Sequence, residues 1–203
     1  MLRTALLLTV SVAALFAASI PAAAQWTEID KLTASDAAGD DQFGCSVAIS
    51  GSTAIVGAWM DSDASGSAYL FDVTSGNELY KLTASDAGGG DRFGYSVGIS
   101  GNTAIVGAYG NEDAGYRSGS AYLFDVTTGE EYAFKLTASD AAEDDSFGSS
   151  LGISGNTAIV GARYDGDAGF MSGSAYVFVP EPSTLILLTI GASYRSEINM
   201  SRF

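Results

Sequence analysis

Three short loops place oxygen-bearing side chains at alternate positions: Asp61-x-Asp63, Asn111-Glu112-Asp113 and Asp165-x-Asp167-x-Gly169. Alternate oxygens on a tight turn suit calcium, a hard cation that takes about six to eight oxygen ligands. Asp, Asn and Gly also favour turns for backbone reasons, so a solvated turn is the competing reading. A second acidic set runs from Asp36 to Asp41, Asp86 to Asp91 and Asp140 to Asp145. Paired carboxylates can hydrolyse a glycosidic bond, one as acid and one as nucleophile or base. That work needs two acids of unlike pKa, and near-identical loops are expected to keep their acids alike, so the chain reads as non-catalytic. The sequence contains no histidine, which removes His-based triads, imidazole metal ligands and an imidazole base. Cys45 is the one cysteine, so no internal disulfide can form and no histidine can activate the thiol.

These loops sit in a repeat. The string K-L-T-A-S-D-A occurs at Lys31 to Ala37, Lys81 to Ala87 and Lys135 to Ala141, with a period of 50 and then 54 residues. Phe-Gly follows at Phe43, Phe93 and Phe147, then I-S-G-[SN]-T-A-I-V-G-A from Ile49, Ile99 and Ile153. G-S-A-Y-[LV]-F closes each unit, from Gly66, Gly119 and Gly173. The units, about 31–80, 81–134 and 135–179, each suggest four short strands; in the first these are Val47 to Ile49, Thr53 to Val56, Ala68 to Val73 and Leu79 to Ala84. A Ser-Gly-Ser or Ser-Gly-Asn link between the first two strands suits a hairpin turn. Strands apolar at nearly every residue, such as Tyr69-Leu70-Phe71, need cover on both faces, which stacked blades provide.

The expectation is an all-β, β-propeller-like fold of about three four-stranded antiparallel blades. Propellers commonly carry about four to eight blades, so three form a partial or strained arc. The last unit supplies only three strands, and Trp26 to Ser35 is an orphan copy of the fourth; the N-terminal strand is therefore expected to complete the last blade. Exposed edge strands also favour self-association.

Positions that differ between units are where recognition is sought, because blade packing accounts for those that stay alike. Trp59 gives way to Tyr109 and then Arg163; Met60 gives way to Gly110 and then Tyr164; Tyr116 and Phe170 occupy the longer loops. Rings at one end of an arc of blades can stack on an extracellular polysaccharide or anchor a surface protein, or simply pack the loops onto the blades. A net charge of -15 disfavours nucleic acid, whose phosphates demand a basic face.

Phe-Gly, I-V-G-A, an acidic loop and G-S-A-Y-[LV]-F in that order resemble the FG-GAP repeat family, whose eukaryotic relatives form the head of integrin α chains. The resemblance spans about Trp26 to Val179. It implies a β-propeller with a binding or adhesion role, and calcium in loops of the D-x-[DN]-x-D type, here at the matching residues Asp61, Asp63, Asn111, Asp113, Asp165 and Asp167. Trp59, Tyr109 and Arg163 replace the proline that follows Gly-Ala in the family pattern.

The ends read as addresses. Residues 1–24 carry Arg3, an apolar stretch from Ala5 to Ile20 and a small-residue ending at Ala22 to Ala24, the pattern of a secretory signal. Val179, Pro180, Glu181, Pro182, Ser183 and Thr184, then an apolar run, resemble the PEP-CTERM sorting signal of bacteria that make extracellular polymer. The apolar run of the tail 180–203 is shorter than the roughly 20 residues that span a bilayer. Together these lead to a secreted bacterial protein of the cell surface or extracellular matrix, serving as a calcium-dependent, non-catalytic binding module. A carbohydrate-active enzyme and a truncated repeat protein without independent function are the alternatives.

Overall fold

The computed structural model describes residues 26–181. The leader 1–24 and the part of the tail from Pro182 onward, with its sorting motif, lie outside the described residues; Pro180 and Glu181 lie at their edge.

Each repeat folds into an antiparallel sheet. The first contains β1 (Val47–Ser50), β2 (Thr53–Ala58), β3 (Ser67–Asp72) and β4 (Asn77–Leu82), paired in that order. The second contains β5 (Phe93–Ser100), β6 (Thr103–Ala108), β7 (Ser120–Asp125) and β8 (Glu131–Leu136), and the third β9 (Phe147–Ser154), β10 (Thr157–Ala162) and β11 (Ser174–Phe178). The hairpin signal is borne out: Gly51 takes a φ of 60°, a conformation glycine enters without steric cost, between Ser50 and Thr53, which face each other across the turn. The sheets are blades of an all-β, β-propeller-like arc.

The apolar runs of the second blade are covered on both faces by its neighbours, and those of the first and third blades on the face toward it. Ile55, Ala68 and Leu70 of the first blade share a core with Val97, Ile99, Val106 and Tyr122 of the second. Ile105 and Leu123 on the far face of the second meet Ala158, Val160 and Phe147 of the third. The Phe-Gly residues fasten each joint: Phe93 donates its amide to the Ser65 carbonyl at 2.9 Å, and Phe147 to that of Ser118 at 3.0 Å. Here the I-V-G-A glycine is a steric necessity, since a Cβ on Gly57 would lie 1.9 Å from the Gly94 carbonyl oxygen, and one on Gly107 2.2 Å from that of Gly148.

One expectation fails. Residues 26–35 form no strand and do not complete the last blade, whose described part has three strands. Leu32 and Ala34 instead pack with Val56, Ala58, Tyr69 and Phe71 of the first blade. Ser35 donates to Glu78 through its amide at 2.8 Å and its hydroxyl at 3.1 Å, and Ser85 repeats both bonds to Glu131 at 2.8 and 3.1 Å. The K-L-T-A-S-D-A segment thus caps the blade that follows it in sequence. By that rule the first copy belongs to blade one.

Candidate functional site

The acidic loops and the segments that precede Phe-Gly, distant in sequence, meet at one rim of each blade. In blade one Lys81, on β4, reaches both sets, with Nζ 2.6 Å from Asp36 and 2.7 Å from Asp61. Tyr69 donates its hydroxyl to Asp36 at 2.9 Å. Burial alone would raise the Asp61 carboxyl, but Lys81, Ser67 and Ser62 hold it down at about 2. Burial likewise pulls the Lys81 ammonium down, and the two carboxylates more than offset it, keeping it above the usual lysine range. Asp63 lies exposed in a turn where Ser62, Asp63 and Ala64 all have positive φ, which splays it away from the cluster.

Blade two repeats the arrangement with one exchange. Lys135 on β8 pairs with Asp86 and Asp113, and Tyr122 donates to Asp86 at 2.8 Å. Asn111 stands where blade one has Asp61; it is buried and holds Tyr122 at 3.2 Å and Ser120 at 2.9 Å. In both blades a lysine ammonium therefore occupies the position where the spacing suggests a calcium ion.

Blade three has the acids without the lysine. Asp140, Asp165 and Asp167 bring carboxylate oxygens within 4.8 Å of one another. Tyr176 donates to Asp165 at 2.5 Å and the Asp167 amide to Asp165 at 2.9 Å, which hold the Asp165 carboxyl below its ordinary value. Asp167 is pushed up, chiefly by the charge of Asp165 and then by Asp140. The loops are thus not alike: two neighbouring acids of blade three are shifted in opposite directions, and among the described residues no outer strand brings a lysine to β11. That donor set, all carboxylate oxygen, fits a hard cation, whereas the lysine-filled rims of the first two blades do not. Sequence reasoning placed Asp140 in the second acidic set and did not join it to Asp165 and Asp167, because it lies about 25 residues from them.

A second cluster draws on all three blades. Trp59, Tyr109 and Arg163 follow the Gly-Ala of β2, β6 and β10, so the strand ends deliver them to one place. The Tyr95 ring links them, edge-on to Trp59 with centroids 5.9 Å apart and to Tyr109 at 4.5 Å. The Arg92 guanidinium lies over Trp59 at 5.5 Å and Tyr109 at 4.9 Å, and donates to the Tyr109 hydroxyl. Arg163 covers Tyr109 at 5.1 Å and Tyr164 at 4.6 Å. Among the described residues the ion pairs involve only Lys81 and Lys135, so both guanidiniums lack a carboxylate partner, and Arg92 Nε is buried without an acceptor. Tyr164 and Phe170 line an adjoining open groove of about 590 Å³ with Arg117, whose guanidinium lies over Tyr116 at 4.9 Å.

The sequence comparison thus selected Trp59, Tyr109 and Tyr164, which the fold brings together, and Phe170 and Tyr116 beside them. It missed Tyr95 and Arg92. Their signal was available: Tyr95 stands where the other units have Cys45 and Ser149, and Arg92 where they have Gln42 and Ser146.

No curated protein matches the chain. Among solved structures, Kuenenia stuttgartiensis hydrazine synthase is 18% identical over 66% of this chain and 33% of its own, with a TM-score of 0.45, so the chain spans about a third of that structure's length. The FG-GAP repeat profile matches residues 26–71, 77–124 and 133–178; the second and third matches begin in the outer strands β4 and β8, and each match ends at the third strand of a blade. The chain belongs to the FG-GAP repeat family.

Proposed function

We propose that this protein is a secreted, non-catalytic binding module of a bacterial surface or extracellular matrix, sorted there by its PEP-CTERM-like tail, and that it binds an acidic polysaccharide. The observation that carries the reading is the cluster of Trp59, Tyr95 and Tyr109 with Arg92 and Arg163. On a chain of net charge -15 it is a place where guanidinium groups face aromatic rings and, among the described residues, form no ion pair with a carboxylate. Rings stack on the apolar faces of sugars, and guanidinium groups take sugar carboxylates in paired hydrogen bonds. A surface protein with an acidic loop offers the same groups and is the runner-up.

Titration of alginate, a polyuronate, against dextran, a neutral polymer, tests this. Alginate binding that weakens about tenfold in Arg163→Ala, with unchanged melting, is the expected result. Equal affinity for dextran, or no binding to either, contradicts it. Release of new reducing ends would convert the reading to a carbohydrate-active enzyme, for which the unlike pair Asp165 and Asp167 supplies the candidate acids.

Calcium has support in blade three alone, from the oxygens of Asp140, Asp165 and Asp167. There it would screen three like charges and brace the loop. A calcium-dependent rise in melting temperature that disappears in Asp167→Asn supports it, and identical melting in calcium and chelator removes it.

A further inference from the structure

We propose that two copies of this chain close head to tail into one six-bladed ring, residues 27–32 of each copy adding the fourth strand to the third blade of the other. The inference goes beyond the polysaccharide reading and does not rest on it.

The uncovered edge has a matching strand elsewhere in the same sequence. β3 and β7 are covered by β4 and β8, with Tyr69 opposite Lys81 and Tyr122 opposite Lys135. β11 has no outer partner among the described residues. Thr27-Glu28-Ile29-Asp30-Lys31-Leu32 matches Asn77-Glu78-Leu79-Tyr80-Lys81-Leu82 in spacing, yet in its own copy it pairs with no strand, and Trp26 and Ile29 stand in solvent. Laid on β11 in the register of β4 on β3, it sets Lys31 opposite Tyr176. The ammonium then takes the place of a cation at Asp140, Asp165 and Asp167, as Lys81 does at Asp36 and Asp61, so calcium would hold this rim only in the single copy. Glu28 meets Ser139, as Glu78 meets Ser35.

The end faces also match as the internal faces do. Ile159 and Val177, on the free face of blade three, are 48% and 65% exposed, while their counterparts Ile55 and Leu70 are fully buried in the first joint. Val47 and Ile49 of blade one are 66% and 64% exposed, while Val97 and Ile99 are buried. Gly161 repeats Gly57 and Gly107 but meets only Ser150 of its own blade and no backbone of another, and Gly44 repeats the positive φ of Gly94 and Gly148 with open space beside it. Seating blade three of one copy on blade one of the next fills all of these positions with contacts the chain already makes twice. A heterologous contact of this kind closes a ring or runs on as a filament. Two copies give six blades, inside the range of about four to eight that propellers adopt.

The register also supplies the test. Leu70 lies opposite Tyr80, so Val177 should lie opposite Asp30 of the second copy. The full chain carrying Cys45→Ser, Asp30→Cys and Val177→Cys is oxidised and run without reductant, and the unmodified chain is sedimented over a range of concentrations. A covalent dimer, and sedimentation at twice the chain mass, are expected. Gly161→Ala and Lys31→Glu should each raise the dimer dissociation constant by roughly tenfold or more while the single copy keeps its circular dichroism. A monomer at high concentration, a disulfide closed within one chain, or a dimer indifferent to Gly161→Ala overturns the proposal.

Discussion

Blades one and two differ from blade three less in sequence than in surroundings. All three carry the acidic loop, the Phe-Gly and the strand tyrosine, but among the described residues only the first two have an outer strand. That strand delivers one lysine, which pairs with two oxygen-bearing loops of the rim. With it, Asp61 ionises easily at about 2 and two carboxylates share one ammonium. Without it, Asp165, the counterpart of Asp61, is held down by Tyr176 and the Asp167 amide instead, while Asp167 is raised by the charges of Asp165 and Asp140. Repetition of residues is therefore not repetition of chemistry; a loop's acidity depends on which strand lies beside it.

The largest effects should come from the joints. Phe93 is fully buried between the first two blades, and Phe93→Ala should cost about 3–5 kcal/mol in denaturant melts, whereas the half-buried Phe43, which no preceding blade covers, should cost clearly less. Equal losses would mean that the first blade is closed off as fully as the second. Next, Gly57→Ala forces a methyl into the Gly94 carbonyl and should cost about 1–3 kcal/mol, while Gly161→Ala meets only the Ser150 hydroxyl and should leave a single copy's melting nearly unchanged.

Smaller effects follow from the charges. Lys81→Met leaves Asp36 and Asp61 facing each other and should cost about 1–2 kcal/mol after allowance for partial exposure, measured by thermal melting at low salt. The pH dependence sharpens the comparison. Asp61 is depressed in the folded state, so its contribution is fully present above the unfolded value near 3.9 and is lost as pH falls toward about 2. Asp167 is raised, so ionising it opposes folding, and protonation as pH falls through its raised value relieves that strain. Asp167→Asn should accordingly stabilise the chain slightly at neutral pH and lose that advantage in acid. Destabilisation at pH 7 would point instead to a cation held by this carboxylate.

Much of the architecture was legible because the repeat states each element three times. The Ser-Gly hairpin, the apolar Tyr-Leu-Phe run and the crowded Gly-Ala each have a local physical meaning, and the sheets follow them closely. The site was legible where it depended on position within the repeat: Trp59, Tyr109 and Arg163 converge because identical strand ends deliver them. It was hidden where it depended on contacts between units. Lys81 looks like a repeat marker until β4 sets it between Asp36 and Asp61. The orphan segment reads as a fourth strand because it copies β4, but its likeness does not reveal that within the chain it forms no strand and packs on blade one.

Amide hydrogen exchange of Ser174–Phe178, compared with Ser67–Asp72 in the same sample, tests most directly whether blade three is an ordinary blade awaiting its outer strand. Fast exchange on β11 in dilute protein while β3 is protected is expected, with β11 gaining protection as concentration rises. Protection of β11 equal to that of β3 at every concentration, or exchange that never slows, would contradict it.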